Sequence, residues 1–209
     1  MTSINFKPFF LPAIGFVLCS LCLFPSCGNS PGKEQNTEAQ NTPAAPAQLN
    51  VDQLTAMIAK EPENSQLYYE RALAYYEYGD LASALKDFDQ TIVLEPDFAS
   101  AFHDRGICRF ELDMPDRAMD DFNRAIELDS TYYEAYFNRA LIYDEKGKKK
   151  EALADLSAAI RINPEFGDAY YNRGVYLLNT DREKACSDFK KAADLGIQEA
   201  AITMKEYCK

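Results

Sequence analysis

The stretch "YFNRALIY" at residues 136–143 places a guanidinium among aromatic and aliphatic side chains. Close variants recur as "YYERALAY" at 68–75, "FHDRGICR" at 102–109 and "YYNRGVYL" at 170–177. The four arginines, Arg71, Arg105, Arg139 and Arg173, follow one another at a constant interval of 34 residues. An ionised group on an apolar stripe is costly unless it is paired. A unit that repeats the charge must therefore also repeat a partner for it.

Alignment on the arginines exposes the rest of the unit. The next residue is always small: Ala72, Gly106, Ala140, Gly174. Three residues earlier stands an aromatic: Tyr68, Phe102, Tyr136, Tyr170. Downstream come Ala84, Ala118, Ala152 and Ala185, then Phe88, Phe122, Leu156 and Phe189, with the fourth copy one residue early. Pro96 and Pro164 close two copies, and Ser130 takes the same slot. Apolar residues recur at helical spacing without strand-like alternation, so each unit reads as two helices joined by a turn. Gly79 and Gly147 mark two of the turns, and Pro115 suits the first turn of the helix after the third.

Residues equidistant from the turn of an antiparallel pair face each other. Reflection about Gly79 carries Arg71 onto Asp87, and reflection about Gly147 carries Arg139 onto Asp155. Arg105 reflects about Asp113 onto Asp121, and Arg173 meets Asp188 across a turn one residue shorter. One structural Arg–Asp pair per unit is expected. The same symmetry sets Ala72 against Ala84 and Gly106 against Ala118, so the backbones are expected to approach closely there.

This constellation is similar to the tetratricopeptide repeat: an aromatic, a small residue after the Arg, then A-x3-F and a closing Pro over 34 residues. Tyr or Phe replaces the family's Trp, and Arg replaces its Leu. The resemblance implies an all-α, right-handed superhelical solenoid of antiparallel helix pairs spanning 50–209. Its parts would be a leading half-repeat (50–64), four repeats (65–98, 99–132, 133–166, 167–195) and a closing helix (197–207).

The resemblance also implies a protein-binding scaffold that holds a protein or peptide partner in a concave groove lined by the first helices. The implied groove positions include Tyr69, Tyr76, His103, Phe110, Phe137, Asp144 and Tyr171, with Leu73, Ile107, Leu141, Val175 and Leu178 between them. Part of this stripe packs against neighbouring helices instead if the groove is shallow. Asn138 and Asn172 match one position of the family's carboxylate clamp, but Tyr69 and Leu73 stand where its Lys and Asn would be. An apolar or basic ligand segment is therefore implied.

The front of the chain differs in kind. Residues 1–26 hold one cation, Lys7, and an apolar run from Phe9 to Phe24, too short for the ~20 residues of a bilayer span. The run ends in "LFPSC", which resembles a bacterial lipoprotein signal with Cys27 as the lipidated residue. Ordinary secretory cleavage and an uncleaved anchor are the alternatives. Residues 28–48, "GNSPGKEQNTEAQNTPAAPAQ", have the composition of a disordered linker, so 27–49 would tether the domain to a membrane. No Asp follows Cys27, which favours the outer membrane; the periplasmic or surface face stays open. An alternative function is a structural subunit of an outer-membrane or envelope assembly complex.

The remaining composition excludes more than it assigns. The net charge is −11, which argues against a nucleic-acid partner. His103 is the sole histidine, so no His-based triad or metal cluster is available, and no Gly-rich phosphate loop follows a strand. No enzyme activity, cofactor, metal or small-molecule substrate is expected. Such a histidine is expected on the groove or the surface. Cys186 reflects about Gly196 to position 206, close to Cys208, so an oxidising compartment would permit a disulfide there; the spacing leaves the bridge open. Cys108 would then be a buried free thiol.

Mass spectrometry of the mature protein is expected to find an acylated N-terminal Cys27. An unmodified terminus elsewhere, or full membrane partition of a Cys27→Ala protein, would refute the anchor.

Overall fold

The computed structural model describes residues 50–208, and every regular element among them is an α-helix. The expected signal segment, Cys27 and the linker lie outside the described residues. α1 (Val51–Ile58) leads. The pairs α2 (Ser65–Glu77) and α3 (Leu81–Leu94), α4 (Ala99–Glu111) and α5 (Pro115–Leu128), α6 (Tyr133–Glu145) and α7 (Lys149–Ile162), and α8 (Gly167–Leu177) and α9 (Arg182–Asp194) follow, and α10 (Gln198–Tyr207) closes. We call the first helix of each pair A and the second B. Each A helix packs on its own B helix and on the B helix before it, and α1 takes the latter role for α2. None of the described helices is long and apolar enough to cross a membrane.

Local chemistry sets the helix ends. Asn50 and Gln53 form a reciprocal capping box on α1. The carboxylates of Asp80 and Asp181 accept the Ser83 and Lys184 N–H groups at the starts of α3 and α9. The A-to-B turns pass through the left-handed region at Gly79 (φ +77°), Asp113 (φ +59°) and Gly147 (φ +70°). Asp is among the few residues other than glycine that tolerate that conformation.

The core repeats with the sequence. Phe88, Phe122, Leu156 and Phe189 are fully buried, as are Ala84, Ala118, Ala152 and Ala185. Ala101, Ala135 and Ala169 on the A helices, and Ala200 on α10, are buried to the same degree. The close approach at the glycines differs from the expected backbone-to-backbone contact. A Cβ on Gly106 would lie 2.8 Å from the Phe122 ring, and one on Gly174 would lie 2.7 Å from the Phe189 ring. The small residue makes room chiefly for an aromatic ring of the B helix, although the Ala185 carbonyl also comes to 3.2 Å at Gly174.

Each arginine lies against an aspartate of its own B helix. Arg71 Nε and Nη2 donate to the two oxygens of Asp87 at 2.6 and 2.8 Å. Arg105 grips Asp121 at 3.1 and 2.6 Å, Arg139 grips Asp155 at 2.7 and 2.8 Å, and Arg173 grips Asp188 at 2.8 and 2.7 Å. The fork has a third prong. Nη1 reaches the preceding repeat: Thr55 for Arg71, Asp89 for Arg105, Asn123 for Arg139 and Ser157 for Arg173. Each guanidinium also lies over the aromatic ring three residues before it, 5.3 to 5.7 Å from the centroid. The aspartate side chains are 3 to 9 % exposed, so these are desolvated, bidentate pairs rather than surface ones.

Asp121 is shared with Arg109 at 2.8 Å, which makes Arg139–Asp155 the cleaner pair to dissect. Asp155→Leu alone is expected to cost about 1–3 kcal/mol, because it strands a guanidinium that is only 17 % exposed. A double-mutant cycle with Arg139→Met should recover much of that loss in urea unfolding; additive single effects would refute the coupling.

Candidate binding groove

Hydrogen bonds join α2 to α4 and α4 to α6, and the Phe166 ring at the start of α8 packs on Phe137 of α6. The shared face of these A helices is the expected groove, and its floor is more closed than expected. Tyr69, His103 and Phe137 are 9, 0 and 2 % exposed, so these three groove candidates are interior residues. The cause is the residue just before each following A helix. Phe98 stacks over Tyr69 at 4.8 Å between centroids, Tyr132 meets His103 edge-on at 4.8 Å, and Phe166 meets Phe137 edge-on at 4.9 Å. Phe98, Tyr132 and Phe166 are themselves one repeat apart and two residues beyond Pro96, Ser130 and Pro164. That spacing was visible in the sequence; which residue each ring would cover was not. Ile107 and Leu141 are buried with them.

Most of the buried polar groups of this floor bond to one another; the exception is Asn138 Oδ1, which is buried without a hydrogen-bond partner among the described residues. Tyr69 Oη donates to Asp104 Oδ2 at 2.5 Å, and His103 Nδ1 lies 2.8 Å from Asp104 Oδ1. His103 Nε2 lies 2.9 Å from the Asn138 amide nitrogen. The chain of contacts thus crosses α2, α4 and α6. Burial, then the Asp104 charge, pushes the Tyr69 hydroxyl well above its ordinary pKa. Asn138 and Asn172 are both buried, and Asn138 already serves His103, so the position matching a carboxylate clamp is engaged internally. Sole histidine that it is, His103 is a packing and hydrogen-bonding residue of the interior, not a surface one.

The accessible strip runs along the later turns of the A helices and, in α8, extends to the early turn as well, where Tyr171 holds the position that Tyr69, His103 and Phe137 hold in the other repeats. Leu73, Tyr76, Phe110, Asp144, Tyr171, Val175 and Leu178 are half-buried. Tyr76 and Phe110 pack by one edge on the cluster of Ile107, Ala118, Phe122 and Ile142. Tyr76 also donates its hydroxyl to Glu111 of the next A helix. Tyr171 rests on Phe189.

Among the described residues, no group of three or more His, Cys, Asp or Glu is placed to hold a metal ion. Cys186 and Cys208 form a disulfide with Cα atoms 5.7 Å apart, tying α10 to α9. Cys108 is a buried free thiol whose pKa is pushed up to about 12 by burial and the nearby Asp104.

A tetratricopeptide repeat profile matches residues 133–166, and a second profile of the same repeat matches 51–97 and 69–133. The chain belongs to the tetratricopeptide repeat family. Proteins of this family are generally non-enzymatic scaffolds for protein interaction. A crystal structure of MamA is similar at 26 % identity over 72 % of this chain and 89 % of that one, with a TM-score of 0.63. MamA residues 41 to the end from Desulfovibrio magneticus RS-1 share the fold at 20 % identity, 69 and 82 % coverage and a TM-score of 0.61. The Arabidopsis OM64 tetratricopeptide repeat domain shares it at 24 % identity, 55 and 94 % coverage and a TM-score of 0.53. No curated protein matches the sequence.

Tyr69→Phe removes one hydrogen bond to the buried Asp104 carboxylate without opening a cavity. It is expected to destabilise the domain by about 1–3 kcal/mol in urea unfolding. A neutral effect would show that the hydroxyl does not support that carboxylate.

Proposed function

We propose that this tetratricopeptide repeat protein is a lipid-anchored scaffold of the bacterial envelope that holds a partner protein or peptide against its A helices. The observation that carries the binding site is the half-exposed apolar strip through Leu73, Tyr76, Phe110, Tyr171 and Leu178. Its members come from the first, second and fourth repeats, and aromatic residues are favoured anchors because they bury large areas with few rotatable bonds. The anchor would be Cys27, and the outer membrane the location. The Cys186–Cys208 disulfide supports export, because such bonds persist in oxidising compartments.

The test is site-directed photo-crosslinking in cells. Photoreactive residues replacing Phe110 or Leu178 are expected to capture one partner, whereas replacements at the exposed B-helix positions Lys150 or Lys190 should not. Capture only from the B-helix side would overturn the reading. Phe110→Ser should weaken capture, at a cost of about 1–2 kcal/mol if the ring is an anchor. Thermal melting separates that loss from unfolding, since Phe110 also touches the core.

A further inference from the structure

The A helices sort their charges. Their cations are Arg71, Arg105, Arg109, Arg139 and Arg173, and every one is bonded to an aspartate of a B helix. None of these guanidiniums is left over for the accessible strip. The carboxylates are placed otherwise. α2, α4 and α6 each end on an exposed glutamate, Glu77, Glu111 and Glu145, one repeat apart. A helix C-terminus is already the negative pole of its backbone dipole, so that dipole disfavours an anion there. The chain accepts that arrangement in three successive repeats. Glu145 shows the crowding: partial burial, then the charges of Asp113 and Asp144, push its carboxyl above the ordinary range. The neighbouring Lys146 is bonded to Asp116.

This negative rim borders the apolar strip. Tyr76 and Phe110 immediately precede Glu77 and Glu111, and Asp144 precedes Glu145. We propose that the groove is selective for a basic segment, whose lysine or arginine side chains meet the Glu77–Glu111–Glu145 rim while its apolar side chains rest on Tyr76 and Phe110. The proposal rests on the groove reading above and adds the chemistry of the occupant. A peptide fits better than a metal ion, because a hydrated cation gains nothing from the apolar half of the surface and no three ligands are gathered to hold one. Three negative helix poles beside three carboxylates make the complementarity specific to cationic side chains.

The experiment uses the full chain and three labelled synthetic peptides alternating leucine with lysine, with serine or with glutamate. Fluorescence anisotropy is expected to show binding of the lysine peptide, weaker binding of the serine peptide and none of the glutamate peptide. The affinity should fall as ionic strength rises to ~0.15 M. The Glu77→Gln/Glu111→Gln/Glu145→Gln variant should lose on the order of tenfold in affinity for the lysine peptide alone. Its thermal melt is recorded alongside to show that it is folded at the temperature of the assay, since Glu111→Gln also replaces the carboxylate that accepts the Tyr76 hydroxyl. Equal binding of the lysine and serine peptides, or a folded triple variant that binds unchanged, would overturn the charge proposal. Undiminished lysine-peptide binding by Phe110→Ser would also overturn it, as generic attraction to an acidic protein, and calcium chloride alone competing fully would assign the rim to a metal instead. Crosslinking from Phe110 and Leu178 is read separately, so the groove can stand if the rim falls.

Discussion

The structure depends on a guanidinium that ties its own helix to two others. Arg71, Arg105, Arg139 and Arg173 each start on an A helix, grip an aspartate of their own B helix with two nitrogens, and send the third to the B helix before. One residue type thereby fixes both the hairpin angle within a repeat and the register between repeats. Arginine suits this task where lysine would not, because its planar fork presents parallel donors to a carboxylate and a further donor in another direction. Stability in such arrays is largely a sum of repeat and nearest-neighbour terms. A bond that serves both terms at once has leverage beyond its own energy.

The same economy fills the interior. Nearly all contacts join neighbouring helices in the order α1 to α10, so no long loop must close before the core forms. The ends are finished differently. α1 covers the first repeat with Leu54 and Ile58, and α10 covers the last with Ala200 and Thr203 while the disulfide holds it in place. The bridge closes a short loop near the C-terminus, where a helix of ten residues packs mainly on its predecessor.

Function follows from what the repeats leave unfilled. The aromatic caps Phe98, Tyr132 and Phe166 close the early turns of the A-helix face and bury the Tyr69–Asp104–His103–Asn138 chain beneath them. The opening shifts to the later turns, where side chains are half-exposed and the helices end on glutamates. In the proposed groove, apolar rings and negative poles lie together at that height, so affinity and selectivity would draw on different residues.

By itself the sequence determined the repeat, the helix pairs, the turns at Gly79, Asp113 and Gly147, and the small-residue positions, because each follows from periodicity and local backbone preference. It also pointed to which carboxylate faces which arginine, since reflection about a short turn is a local constraint. Only the tertiary structure decided the third prong of each arginine, the ring that fills the space beside each glycine, and which groove positions stay open. The third prong and the covering of the groove are contacts between helix pairs, set by how one pair seats on the next, whereas the ring beside each glycine is a matter of side-chain packing within its own pair. Tyr69 and Tyr76 occupy the same face of one helix, yet Phe98, the residue just before α4, covers the first, while the second is left half-exposed.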